Sequence, residues 1–144
     1  MPSAQHSVLI RRPVSEVFAF VADGTNAMRW RTGVLDVSRQ SGEGLGEVYR
    51  QGVKGPGGRR IAADYEVTAF ELDRRIAFRA IAGPVRPTGA YGFATEGEGT
   101  TVSLALDATL SGWKRLLMSR AVQSTMDAEV RNLETLKTTL ESER

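Results

Sequence analysis

Apolar residues recur along this chain with two different periods, and each change of period marks a boundary between elements. From Gln5 to Arg11 the pattern predicts a strand that stops at Pro13, because proline lacks the N–H that a helix start does not need. Val14, Val17, Phe18 and Val21 then repeat at spacings of three and four, which predicts a short amphipathic helix ended by Asp23 and Gly24. A second short turn or helix is expected around Thr25 to Trp30. Val34 to Arg39 reads as a strand, Gly42, Gly44 and Gly46 as a turn, and Glu47 to Lys54 as the next strand. The GPGG at Gly55 to Gly58 turns the chain into one long strand, Arg59 to Phe70, with Ala63, Tyr65, Val67 and Ala69 on a common face.

Beyond a polar turn at Leu72 to Arg75, Ile76, Phe78, Ala80 and Ala82 alternate with Ala77, Arg79 and Ile81 in a strand ending near Gly83 and Pro84. Thr88 to Thr95 places Gly89, Tyr91 and Phe93 on one side, and Gly97 to Gly99 turns the chain into Val102, Leu104, Leu106, Ala108 and Leu110. From Gly112 onward proline and glycine vanish and helix formers run for about thirty residues. At 100° per residue, Met118, Val122, Met126, Leu133, Leu136 and Leu140 fall in a narrow band that must be buried. The order predicts an α+β helix-grip fold: a curved antiparallel sheet of about seven strands around a long C-terminal helix, with two short helices after strand one. The first strand is expected to pair with the last. One helix rarely fills the mouth of a curved sheet, so the spare volume becomes a candidate ligand cavity.

Composition narrows the chemistry. The 144 residues are 41% hydrophobic, enough for a buried core, and they read as one domain spanning 1–144. There is no cysteine, which removes disulfides, thiolate nucleophiles and Cys-ligated metals. His6 is the only histidine, so a histidine triad or multi-histidine metal site is excluded by counting, and an exposed or edge position is its expected place. Glu96 and Glu98 beside glycines read as a hairpin turn, and no metal site is expected. The net charge is +2 with arginines scattered among acids, which argues against a nucleic-acid partner. No apolar run suits a signal peptide or membrane span, so a cytoplasmic protein is expected. Gly55 to Gly58 lacks the Gly-Lys-Ser and helix of a phosphate loop.

The candidate cavity residues follow from the phases. Tyr65, Phe78, Tyr91 and Phe93 lie on the inward phase of their strands, where they serve as core or offer a tyrosine hydroxyl to a ligand. Val122 and Met126 face them from the terminal helix. Glu129 sits at the centre of the same apolar band. A carboxylate there is expected to meet water in a cavity, to pair with an arginine such as Arg79, or to mark where the helix leaves the sheet. As a functional group it would contact a polar ligand or act as a general acid or base. Arg50 and Arg79 lie within strands, where an inward phase would let either bind a carboxylate or phenolate, although arginines there more often face outward.

The segments RPVSEVFAFVADGTNAMRWRTGV from Arg11, DYEVTAFELDRRIAFRAIAGP from Asp64, GEGTTVSLALDATLSG from Gly97 and LETLKTTLE from Leu133 resemble the START-like (SRPBCC) superfamily, in particular its polyketide cyclase/dehydrase-like group of small bacterial proteins. The resemblance implies a deep cavity between sheet and C-terminal helix that binds hydrophobic or polycyclic molecules, usually without a cofactor. Trp30 matches a tryptophan common at this place in the family, and would wall the cavity near its entrance or anchor the short helix to the sheet. No catalytic motif carries over onto these positions, so cyclase chemistry would rest on analogy of fold. The expected function is binding of a small hydrophobic or aromatic molecule, with a homodimer left open. The alternatives are a cofactor-independent cyclase or aromatase using the same cavity, and an accessory interaction protein whose cavity has collapsed.

Overall fold

Pro13 separates the first two elements as expected. In the computed structural model, which describes residues 3–83, 85–108 and 113–142, strand β1 (Ser3–Ile10) gives way to helix α1 (Val14–Ala22), with Pro13 at its N-cap in extended geometry, φ −61° and ψ 149°. Val17, Phe18 and Val21 are its buried residues. A 3₁₀ segment, Gly24–Arg29, is capped by the Asp23 side chain, which accepts from the Thr25 amide. The remaining strands are β2 (Val34–Ser41), β3 (Val48–Lys54), β4 (Arg60–Ala62), β5 (Tyr65–Glu71), β6 (Arg75–Ala80), β7 (Thr88–Glu96) and β8 (Gly99–Asp107), followed by helix α2 (Trp113–Ser142). Pro84, Leu110, Gly112 and the side chain of Met118 lie outside what is described.

The strands form one antiparallel sheet in the order β1-β8-β7-β6-β5-β3-β2, with β4 pairing only with β3. The sheet curls into a half-barrel around α2, the helix-grip arrangement. The first strand pairs with the last in unbroken register from Ser3↔Asp107 to Ile10↔Thr100. Two differences from the sequence pattern concern the segment 59–70. It is two strands rather than one, because Asp64 substitutes its side chain for a backbone partner: Oδ1 accepts from the Gln51 amide, and Gln51 Nε2 donates to the Ala63 carbonyl. The inward phase also fails after Val67. The register jumps between Val67 and Ala69, and a one-residue bulge exchanges the two faces of the strand. Phe70, not Ala69, therefore turns inward and meets the Phe18 ring edge-on at 5.3 Å.

Helix α2 grips the sheet by two kinds of contact. Val122, Met126, Val130, Leu133, Leu136 and Leu140 are buried in one cluster with Val8, Ile10, Val102, Leu104 and Leu106. Its polar flank then satisfies the outer edge of β1. Gln123 both accepts from the Ser3 amide (3.0 Å) and donates to its carbonyl (2.5 Å), Lys137 donates to the Leu9 carbonyl (2.6 Å), and Glu141 accepts from the Arg11 amide (2.9 Å). A sheet edge is thus covered without another strand. His6, on this edge strand, lies 2.6 Å from Glu134 of the helix.

The two apolar environments predict opposite outcomes for the same substitution. Leu133→Ala, at a fully buried position, should lower unfolding free energy by roughly 2–5 kcal/mol in urea titration. Leu72→Ala, at a position 72% exposed in the β5–β6 turn, should leave it within about 0.5 kcal/mol.

Candidate functional site

Glu129 sits mid-way along α2 with buried Val122, Met126, Val130, Leu133 and Leu136 around it. The partner that makes this tolerable is Arg31, just past the 3₁₀ segment. Its Nη2 donates to Glu129 Oε1 at 2.6 Å, and Nε reaches Oε1 and Oε2 at 3.2 and 3.1 Å. Of the three readings of Glu129 the structure holds the arginine pair, with Arg31 in place of the suggested Arg79, which lies on the outer face and binds Glu66 instead. Arg50 is also exposed. The β6 alternation explains both the expectation and its failure: Phe78 faces inward opposite Val67, so its neighbour Arg79 must face away.

The pair is completed from three directions. Arg31 Nη1 donates to Gln51 Oε1 at 2.8 Å, from the inward phase of β3. Asn132, one turn along α2, donates from Nδ2 to Glu129 Oε2 at 2.8 Å, while its Oδ1 accepts from Thr32 Oγ1 at 2.9 Å. Burial pushes the Glu129 carboxyl up, but the charge and hydrogen bonds of Arg31 and the Asn132 amide outweigh it, leaving the pKa below its ordinary value. Burial likewise disfavours the Arg31 cation, and the charge and hydrogen bonds of Glu129, together with the neighbouring phenols, more than offset it. The site therefore holds one full positive and one full negative charge in contact.

Aromatic rings adjoin this polar cluster. Trp30 is buried edge-on against Tyr91 (6.1 Å), and Phe78 lies between Tyr65 (5.8 Å) and Tyr91 (5.9 Å). Tyr91 continues into Phe93 at 6.5 Å, and Phe93 into Phe18 at 5.1 Å. Gly89 is required on the same face, since a Cβ there would stand 2.5 Å from Phe78 and 2.6 Å from Leu106. Burial raises the phenol pKa of both Tyr65 and Tyr91 well above the ordinary range against the opposing charge of Arg31, so both are neutral hydroxyls at pH 7.

Neither hydroxyl has a hydrogen-bond partner among the described residues, although Tyr91 is only 8% exposed. No sealed side-chain nitrogen or oxygen among the described residues lacks a partner. The two hydroxyls therefore border space that a water-sized molecule reaches. Arg31 keeps two further N–H groups, one on each terminal nitrogen, beyond those donated to Glu129 and Gln51.

Behind this wall Tyr49 stacks on Tyr65 at 5.0 Å and donates its hydroxyl to Glu47 Oε1 at 2.7 Å. Glu47 is buried and meets Arg39 Nε at 2.7 Å. The Gly24 amide donates to the Tyr49 hydroxyl at 3.1 Å, and a Cβ on Gly24 would stand 2.8 Å from that ring. This second cluster fastens the 3₁₀ segment to β3. Two open depressions of about 260 Å³ lie elsewhere, one beside Arg60 and Asp36 on the outer face, the other between Phe70, Arg39 and Glu43. Neither lies between α2 and the sheet.

All eight residues singled out in the sequence, Trp30, Tyr65, Phe78, Tyr91, Phe93, Val122, Met126 and Glu129, belong to the interior between sheet and helix. Sequence reasoning missed Arg31, Gln51, Asn132 and Thr32. Gln51 carried a signal: Glu47, just before β3, and Tyr49 and Gln51 within it alternate on one buried phase, and two polar residues there require partners. Arg31 and Asn132 carried none. No cluster of three metal-ligating side chains occurs among the described residues.

A family model described as "Polyketide cyclase / dehydrase and lipid transport" matches residues 1–138. Among solved structures, TTHA0849 from Thermus thermophilus is 24% identical, with 98% of this chain and 95% of that chain covered and a TM-score of 0.78. A START superfamily protein from Mycobacterium smegmatis is 14% identical over 97% of this chain and 94% of that one, with a TM-score of 0.71. The di-domain ARO/CYC StfQ from the steffimycin biosynthetic pathway is 13% identical over 97% of this chain but 50% of its own length, with a TM-score of 0.81. No curated protein matches the sequence.

Because Glu129 is held below its ordinary pKa of 4.5, its contribution to stability is complete above that pH and is lost as the pH falls through the folded value. Acid titration followed by circular dichroism should show the wild type losing stability more steeply than Glu129→Gln below about pH 4.5. Arg31→Met alone should cost about 1–3 kcal/mol, short of a fully buried pair because both side chains keep some solvent access, and the double variant with Glu129→Leu should recover most of it.

Proposed function

The chain belongs to the polyketide cyclase / dehydrase and lipid transport family, and on that premise we propose that it binds a small hydrophobic or aromatic molecule in the space between α2 and the sheet. The observation that carries this reading is the Tyr91 hydroxyl, buried among rings, without a hydrogen-bond partner among the described residues and within reach of a water-sized molecule. In a structural core that group would be bonded or replaced by phenylalanine. Left unbonded, it is a donor waiting for an acceptor on something that enters.

Binding is favoured over catalysis by the state of the ionisable groups. A general base needs a pKa near the working pH. The phenols stand far above it, Glu129 stands below it with both oxygens occupied, and His6 lies on the β1 edge against Glu134. A collapsed accessory module is disfavoured by the same open hydroxyls.

Titration with naphthalene, followed by quenching of Trp30 emission against a Trp30→Phe control, should give saturable one-to-one binding. Tyr91→Phe should leave naphthalene affinity unchanged and weaken an oxygen-bearing analogue about fivefold to tenfold, the effect of one hydrogen bond. Linear, unsaturable quenching with every aromatic tried would contradict the proposal.

A further inference from the structure

Among the described residues, the uncommitted donors that border this space are the Tyr65 and Tyr91 hydroxyls, which are neutral, and the spare N–H groups of Arg31, which belong to a cation. That cation is already matched. Glu129 occupies Nε and one face of Nη2, and its own oxygens accept two hydrogen bonds each. Behind the Tyr49–Tyr65 stack, Glu47 is matched by Arg39 in the same way. Among the described residues no unmatched positive charge faces the tyrosine hydroxyls.

From this geometry we infer that the site selects a neutral oxygen acceptor, such as an aromatic ketone or quinone carbonyl, and that Glu129 is the residue that rejects carboxylates. An incoming carboxylate would be stripped of water beside an existing carboxylate, and Arg31, the cation within reach among the described residues, is already shared. A ketone oxygen brings no charge to desolvate, and it accepts from Tyr91, Tyr65 or a spare Arg31 N–H at hydrogen-bond strength. Specificity is then set by an unfavourable term against the wrong ligand as much as by contacts to the right one. Gln51 and Asn132 support this role, because they hold Arg31 and Glu129 in contact rather than offering either charge to the ligand.

This inference rests on the binding proposed above, and the test separates the two. Wild-type protein is titrated at pH 7 with naphthalene, 2-acetonaphthone and 2-naphthoate, which share one ring system. The expected order is 2-acetonaphthone tightest, with 2-naphthoate at least tenfold weaker. Glu129→Gln removes the matching charge while keeping the side-chain shape, and should shift the ketone-to-carboxylate preference at least tenfold toward 2-naphthoate. If naphthalene and the ketone bind but wild type takes 2-naphthoate equally well or better, the charge inference fails and the binding proposal stands. If none of the three binds, both fail. If Glu129→Gln keeps the wild-type preference, Glu129 is not what rejects the carboxylate and the inference fails; where that variant does not fold, wild-type protein that takes 2-naphthoate as well as the ketone still overturns it.

Discussion

The contact between the Arg31 guanidinium and the Glu129 carboxylate sets the terms for the rest of the interior. It joins the connection after the 3₁₀ segment to the middle of a helix 98 residues later, and it does so inside an apolar envelope. An ion pair in such a place is a weak source of stability, since desolvating both charges offsets most of their attraction. It also demands company. Gln51 from β3, Asn132 from α2 and Thr32 beside the arginine are recruited to complete its hydrogen bonds. A core built for stability alone would place leucines there, as it does one, two and three turns further along α2 at Leu133, Leu136 and Leu140.

The surrounding architecture explains how the pair is held still. On one side, α2 is fixed along β1 by its leucine face and by Gln123, Lys137 and Glu141, which satisfy the strand edge. On the other, the 3₁₀ segment is fastened to β3 through the Gly24 amide, the Tyr49 hydroxyl and the buried Glu47–Arg39 pair. Tyr65 is stacked between this clamp and the interior. The two charged clusters are thus separated by a pair of tyrosine rings, and only the inner one adjoins the open hydroxyl of Tyr91.

The fold was legible because its determinants are local or periodic. Pro13, the inward phase of β7 and β8, and the loss of glycine and proline after Gly112 each mark an element within a few residues. The errors arose where a side chain or a bulge replaced a regular backbone bond: Asp64 divides one expected strand into β4 and β5, and the irregularity after Val67 exchanges Ala69 for Phe70 on the inner face. The site was half legible for the same reason. Its apolar walls follow a period, and Glu129 stood out by violating one. Its partner could not be read, because nothing within a turn of Arg31 distinguishes it from the strand arginines that face outward, and the choice among them is made by tertiary packing.

The central claim is that the interior between α2 and the sheet receives a small, oxygen-bearing hydrophobic molecule rather than being closed core. Native mass spectrometry of freshly purified protein, before and after incubation with excess 2-acetonaphthone, addresses it most directly. The account predicts a single bound small molecule, either carried through purification or acquired from the ketone. Protein that stays at its bare mass under both conditions would contradict it.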